Sequence, residues 1–457
     1  MSSTIKRNKY EIDMCNGTIM DKLISFSLPL MLSGILQLMF NAVDIIVIGR
    51  FSGSQSLAAV GSTTALINMF TYLFIGISLG ANVLSARFYA AGKDKEMSET
   101  VHTAITLALI SGIIMVFVGL IFAKPVLELM DTPDDVINLS TLYMRIYFMG
   151  MPFFMLYNYG ASILRAVGDT KRPLFYLIVA GIANAGLNMC LVIIFHLGVA
   201  GVAIGTVISQ LISSILVLRC LYRSETSYQL RFSKLKIQKE YLKQIFQVGI
   251  PAGIQSTVIN FSNVLLQTSV NSFGSIAMAG YTAANNIFGF LYVTVNAVTQ
   301  ACMSFTSQNY GVGKWKRMDR VLIDCLILSF VAMMILGNSA YFFGPKLLTI
   351  YTSNSKVIQC GMEILLYTTV TYFLCGFMDL FPGALRGMGR SGVPMILSII
   401  GTVGTRIVWI FWIFPNHRSL DILFISYPAS WIITIVLQVI CYYFVRKQLY
   451  AKMRAEA

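Results

Sequence analysis

Leu164, Arg165, Gly168 and Pro173 recur 221 residues later as Leu385, Arg386, Gly389 and Pro394. Tyr89, Gly92, Lys93, Lys95 and Met97 recur at the same offset as Tyr310, Gly313, Lys314, Lys316 and Met318, and Gly53, Ser54 and Ala58 as Gly274, Ser275 and Ala279. One offset for three separated blocks means that the chain is one unit written twice, and its fold must be buildable from two copies of that unit. A duplicated bundle of membrane helices is a common way to build a transporter, with the substrate path between the copies.

The unit is a membrane unit. Of the 457 residues, 56% are hydrophobic and 12% charged, and the mean hydropathy is +0.72. No soluble domain of this length hides so much apolar surface. The apolar runs reach the roughly 20 residues that a helix needs to span a bilayer, and the short alternating segments of a membrane β-barrel are missing. The net charge of +14 belongs to short loops, where it sets topology; no motif or basic helix supports nucleic-acid binding. The eight cysteines form no CxxC pair and sit mostly in apolar spans, and His102, His196 and His417 are far apart, so neither a disulfide framework nor a metal site is indicated. The 30 Phe, 22 Tyr and 24 Met residues suit adaptable apolar pockets, and are also ordinary membrane filler.

Twelve spans are expected, at 24–49, 57–85, 99–122, 136–164, 173–196 and 198–222, and then at 241–271, 277–309, 318–343, 357–385, 394–414 and 420–445. The first 22 residues are polar and basic without a cleavable-signal pattern, so span one is expected to act as its own insertion signal. Lysine and arginine concentrate in the tails and in the loops after the even-numbered spans. The opposite loops carry only Arg50, Lys124, Lys346, Lys356 and Arg418. Both termini are therefore expected in the cytoplasm. With six spans per half, the two copies enter from the same side and form a parallel repeat. The reading is an all-α integral membrane protein: an amino-terminal lobe over 1–222, a basic linker over 223–240 and a carboxy-terminal lobe over 241–457. In the linker region Leu230, Phe232, Leu235 and Ile237 could rest on the bilayer while the lysines meet anionic headgroups, or the segment could simply be solvated.

Charges inside spans are costly, which makes the few present the functional candidates. Ser33, Gln37, Asn41 and Asp44 fall at helical spacing on one face of span one. Desolvation makes a lone carboxylate costly there, so Asp44 could trade a proton or bind a monovalent cation such as Na+. Asn184 and Asn188, one turn apart in span five, could hydrogen-bond that carboxyl or ligate the cation, and Asn41 shares its face. Span seven repeats the polar stripe without an acid, as Ser256, Asn260, Asn263 and Gln267. Gln37, Asn260, Asn263 and Gln267 are thus candidates for lining a substrate cavity. Asp379 in span ten and Arg406 in span eleven are expected to form a neutralising ion pair; Asp379 could also meet substrate or cation. Glu363 and Arg145 are expected nearer the outer face, where they can snorkel.

These residues resemble the multidrug and toxic compound extrusion (MATE) family over essentially all twelve spans. The resemblance rests on Asn41, Ala42, Val43 and Asp44, followed by Ile48 and Gly49, and on the run from Leu57 to Gly61. It rests further on the runs from Leu164 to Asp169 and from Leu385 to Gly389, and on Leu187 with Asn188. It implies two six-helix lobes forming a V, with rocker-type alternating access. It also implies export of lipophilic, often cationic, compounds in exchange for H+ or Na+, without another cofactor. Members with an amino-lobe cation site match Asp44 and Asn188 and usually carry a second acid four residues further on. Here that position is Val192, which leaves one carboxylate. Neither Leu266 nor Gln267 supplies the span-seven acid of a second family pattern, and Asp379 lies closer to the Leu-Arg-Gly motif than that pattern places its acid.

The expected protein is a multi-pass antiporter of the cell membrane that acts on small molecules as a monomer. A lipid-linked precursor or polysaccharide flippase is the alternative, although such a protein should hold phosphates with more basic residues inside its spans. An enzyme lacks a convergent nucleophile, base or metal set, and an ATP-driven pump lacks a phosphate-binding Gly-Lys-Ser/Thr loop.

Overall fold

The computed structural model describes the backbone of residues 9–130 and 132–456. Residues 1–8, the start of the polar tail expected before span one, lie outside the described residues. Every regular element among those described is helical. The first half runs α1 (Met20–Phe51), α2 (Gly53–Ala90), α3 (Asp94–Leu129), α4 (Asp134–Met149), α5 (Met151–Ala166), α6 (Lys171–Met189) and α7 (Gly198–Tyr222). The second runs α8 (Lys239–Asn271), α9 (Ser275–Gly311), α10 (Trp315–Phe342), α11 (Gly344–Thr349), α12 (Ser355–Thr369), α13 (Tyr372–Gly387), α14 (Gly392–Ser398), α15 (Thr405–Val408) and α16 (Leu420–Glu456). Each of the twelve expected spans falls on a helix or on a broken series of helices.

Among the described residues, nine helices are long and apolar enough to cross a membrane. The pair α12 and α13, bent by 44°, makes a tenth. The other two expected spans fall short of that standard for visible reasons. Span four is split at Gly150 into two helices of 16 residues each, and the second of these opens on Pro152, which has no N–H to continue the ladder. Span seven is the helix of 33 residues that carries the polar stripe.

The duplication reappears as backbone geometry. Left-handed glycines pair at the same offset: Gly53 (φ 83°) with Gly274 (φ 94°), Gly92 (φ 65°) with Gly313 (φ 70°), and Gly168 (φ 97°) with Gly389 (φ 80°). Each lies at a junction between two helices, where an L side chain would be strained. The break at Gly150 answers to the break before Tyr372, and the π-helical segment Cys190–Ile194, carried over by the same offset, overlaps the π-helical segment Trp409–Ile413.

The chain forms two compact units. The first holds Met1–Asp13 and Leu28–Gly253; the second holds Met14–Ser27 and Ile254–Ala457. The apolar core of the first unit gathers residues such as Met97, Phe148, Tyr159 and Leu164, all fully buried. That of the second is centred on Val270, Ala284, Ile364 and Leu423. The segment after α7 is not exposed along its whole length. Tyr228 and Leu230 are fully buried in the first unit's core, and the Leu230 N–H donates to the Leu221 carbonyl at 3.0 Å. Arg223 and Glu225 before this anchor are exposed, as are Arg231, Phe232, Ser233, Lys234 and Lys236 beyond it, whereas Leu235 and Ile237 are half-buried.

Candidate functional site

Three helices of the first unit converge on Asp44. Phe40, one turn before it in α1, lies over Gly181 of α6 so closely that any Cβ at 181 would fall inside its ring. Two turns further along α6, the Asn188 Nδ2 donates to the Asp44 carboxylate. The two contacts come in the same order along both helices, so α1 and α6 run parallel here. The α7 helix meets α6 through small residues: Gly201 packs on Leu191, and a Cβ at Gly205 would land on the Asn188 Oδ1. Small residues one turn apart let membrane helices approach this closely.

That approach delivers Thr206. Its hydroxyl accepts from the Asn184 Nδ2 at 3.4 Å and lies beside the Asp44 carboxyl. The Asn188 Nδ2 also donates to the Asn184 Oδ1 at 3.3 Å. Tyr143 and Tyr147 of α4, their rings 6.0 Å apart, lie near enough to feel the charge of Asp44. Asn188 is wholly buried, and its Oδ1 has no hydrogen-bond partner. The centre therefore holds one carboxyl, two amide oxygens and a hydroxyl: oxygen donors only, carrying one titratable charge.

The structure joins Asp44, Asn184 and Asn188 as the sequence reading expected. Gln37 and Asn41 are exposed on α1, and Ser33 is satisfied within its own helix by the Pro29 carbonyl at 2.8 Å. Val192, where a second acid was looked for, is buried in the π-helical segment that follows α6. Thr206, Tyr143 and Tyr147 were not anticipated.

The second unit is organised around a cation instead. Arg406 is 3% exposed, donates to the Asn263 Oδ1 at 2.7 Å and to the Ser262 Oγ at 3.4 Å, and stacks over the Tyr427 ring at 4.6 Å. The expected ion pair between Asp379 and Arg406 is not formed. Among the described residues, no contact within 4 Å joins them, and the charge that Asp379 feels is Arg386, two turns on in the same helix. Arg386 in turn donates to the Gln255 Oε1 at 2.7 Å. The reason is the backbone around Arg406: α15 lies between two π-helical segments, Ile399–Gly404 and Trp409–Ile413. The first of these shifts the helical register ahead of Arg406, which faces α8 and α16. Asn263 is thus an arginine ligand. Asn260 and Gln267 are exposed on α8, and Asn260 donates to the Ser256 carbonyl of its own helix at 2.8 Å.

Gly205→Ala tests how the site is held. The added methyl displaces a side chain that can rotate, not backbone, so the protein should still insert while Asn188 loses its hold on Asp44. Any activity that depends on the Asp44–Asn188 contact is expected to fall about tenfold, the equivalent of one hydrogen bond to a charged group. Gly186→Ala, whose Cβ meets open space, should behave as wild type.

A family model described as MatE matches residues 29–190 and again 251–412, one match in each half and together more than half of the chain. The probable multidrug resistance protein YoeA of Bacillus subtilis (strain 168) is 29% identical over 434 residues, which cover 93% of each chain. The multidrug export protein MepA of Staphylococcus aureus (strain NCTC 8325 / PS 47) is 23% identical over 380 residues, covering 83% of this chain and 84% of its own. The fold matches the crystal structure of MATE in the straight conformation with a TM-score of 0.87, at 20% identity, over 98% of this chain and 100% of that one. An outward-facing MATE family transporter of the MOP superfamily matches with a TM-score of 0.89, at the same identity and coverage. With both halves matched by the same model, the chain belongs to the MatE family of membrane transporters.

Proposed function

We propose that the protein is a secondary antiporter of the cell membrane, with both termini in the cytoplasm. It exports lipophilic, often cationic, small molecules in exchange for H+ or Na+. The observation that carries this reading is the Asp44 carboxyl, which accepts from Asn188 and lies beside Thr206 within a membrane helix. The names of the relatives, a multidrug resistance protein and a multidrug export protein, support the substrate class. The excess of lysine and arginine after the even-numbered spans supports the orientation.

Asp44 is negative when open to the outside and neutral once H+ or Na+ has bound. A single carboxylate balances one monovalent charge, whereas a divalent ion would leave net charge inside the membrane, at a cost of several kcal/mol. Neutralisation removes the reason to keep the site hydrated and favours the state that releases substrate outward. The ion drives transport only through its different affinity for the two states.

The test is export of a fluorescent lipophilic cation from proteoliposomes under a pH gradient and, separately, a sodium gradient. Transport driven by one of them identifies the coupling ion. Transport at the same rate with neither gradient would remove antiport from consideration.

A further inference from the structure

We propose that a groove between the start of α3 and the segment after α7 is a binding site for a phosphate group, carried by an anionic lipid headgroup or free in solution. The groove is a cavity of about 530 Å³ within the first unit, and Lys95, Lys234 and Lys236 all line it. Lys234 and Lys236 are exposed, as is Lys95, and among the described residues none of the three has a carboxylate within 4 Å. Glu99 is the one acid in the lining, and it lies beside the Tyr241 hydroxyl. Three ammonium groups against one carboxylate leave an excess of two positive charges, which suits a phosphate ester, and Ser98 and Ser233 add hydroxyl donors.

The wall that carries the lysines is fixed. The His102 Nδ1 lies 2.6 Å from the Ser98 carbonyl, to which only an N–H can donate. The Nε2 then accepts the Arg231 N–H at 3.0 Å. His102, 3% exposed, is thus a neutral strut rather than a ligand. On the far side of the lysines the Gln238 N–H donates to the Thr103 Oγ1 at 3.2 Å. The stretch between Arg231 and Gln238 is therefore tied to α3 at both ends, and Lys234 and Lys236 are presented from a braced loop. Beside it the Tyr222 and Phe232 rings stack at 5.7 Å, each more than half exposed. An exposed aromatic pair at a helix end is the usual anchor at the level of lipid headgroups, so the groove opens where phosphates are concentrated. Lysines near an anionic membrane surface each add to binding.

The experiment uses the full chain, purified and delipidated in detergent, with native mass spectrometry and thermal unfolding as readouts. The probes are phosphatidylglycerol, phosphatidylcholine, glycerol 3-phosphate and inorganic phosphate. Wild type should retain phosphatidylglycerol in preference to phosphatidylcholine. The triple variant Lys95→Gln, Lys234→Gln and Lys236→Gln should bind it at least tenfold more weakly, and Lys346→Gln with Lys356→Gln should leave binding unchanged. Glu99→Gln keeps an acceptor for Tyr241 and removes the opposing charge; it should tighten binding several-fold, a gain that misfolding cannot imitate. Binding of phosphatidylglycerol alone identifies a lipid site, and equal binding of glycerol 3-phosphate or inorganic phosphate identifies a soluble ligand. Phosphatidylglycerol binding that is unchanged in both the triple variant and Glu99→Gln would overturn the proposal.

Discussion

Asp44→Asn protein, reconstituted beside wild type, is expected to lose gradient-driven export to the level of leak, a drop of roughly 100-fold or more, while reaching the membrane in normal amounts. The substitution should be structurally mild for a reason specific to this site. The Asn188 Nδ2 can still donate to the Oδ1 of an asparagine at position 44. The new amide also gains a potential acceptor in the Asn188 Oδ1, which is buried and unpartnered in the wild type. What is lost is the only group in the cluster that can change charge. An amide binds neither a proton nor, with any strength, a lone cation inside a membrane, so the ion no longer discriminates between the two states and cannot bias them. Substrate binding, measured as fluorescence anisotropy without a gradient, should survive. Asp379→Asn is the informative partner: it should change substrate affinity and leave gradient dependence in place. The reverse pattern, with coupling lost in Asp379→Asn and kept in Asp44→Asn, would move the ion site to the second unit.

The pairing of Asp44 with Asn188 was legible in the sequence because both are polar interruptions of apolar spans, and because helical spacing groups them with Asn41 and Asn184. Thr206 was not, since threonine is common in membrane helices and usually bonds its own backbone, as Thr63 and Thr71 do here. Which threonine turns toward an acid depends on how closely two helices approach, and Gly205 sets that distance. Tyr143 and Tyr147 were hidden among the many aromatics of the chain. The misplaced ion pair has a similar origin. Asp379 and Arg406 are deep charges in consecutive spans, but a helical period carried through the π-helical segment ahead of Arg406 points it the wrong way. The two copies and their spans could be read because they depend on composition and repetition; contacts across helices depend on register, which one inserted residue alters.

A second register-dependent contact is built from glycines. Gly76 and Gly80 of α2, four residues apart, face Gly249 and Gly253 of α8, also four apart, and all four belong to the first unit. The contact is reciprocal. A Cβ at Gly76 would strike the Gly253 backbone and one at Gly80 the Ile245 carbonyl oxygen, while a Cβ at Gly249 would strike Ile77 and one at Gly253 would strike Leu73. Lipid tails are as apolar as the side chains they replace, so close van der Waals packing between such small residues is a principal force holding membrane helices together. Gly80→Val places its branch against backbone, which cannot rotate aside as the Asn188 side chain can. The helices must separate, and every contact along the seam weakens with distance. The expected cost is about 3 kcal/mol or more, at the upper end for overpacking. It should appear as a sharply lower unfolding temperature in detergent, or as loss of the folded peak on size exclusion. Gly61→Val is the matched control, because it lies in the same helix and its Cβ meets nothing within 4 Å. It carries the same penalty of a β-branched residue in a helix without the collision. Equal stability of the two variants would mean that α2 and α8 are not held by this seam, whereas a folded Gly61→Val beside an unfolded Gly80→Val would place the anchoring of α8 in the first unit on four glycines.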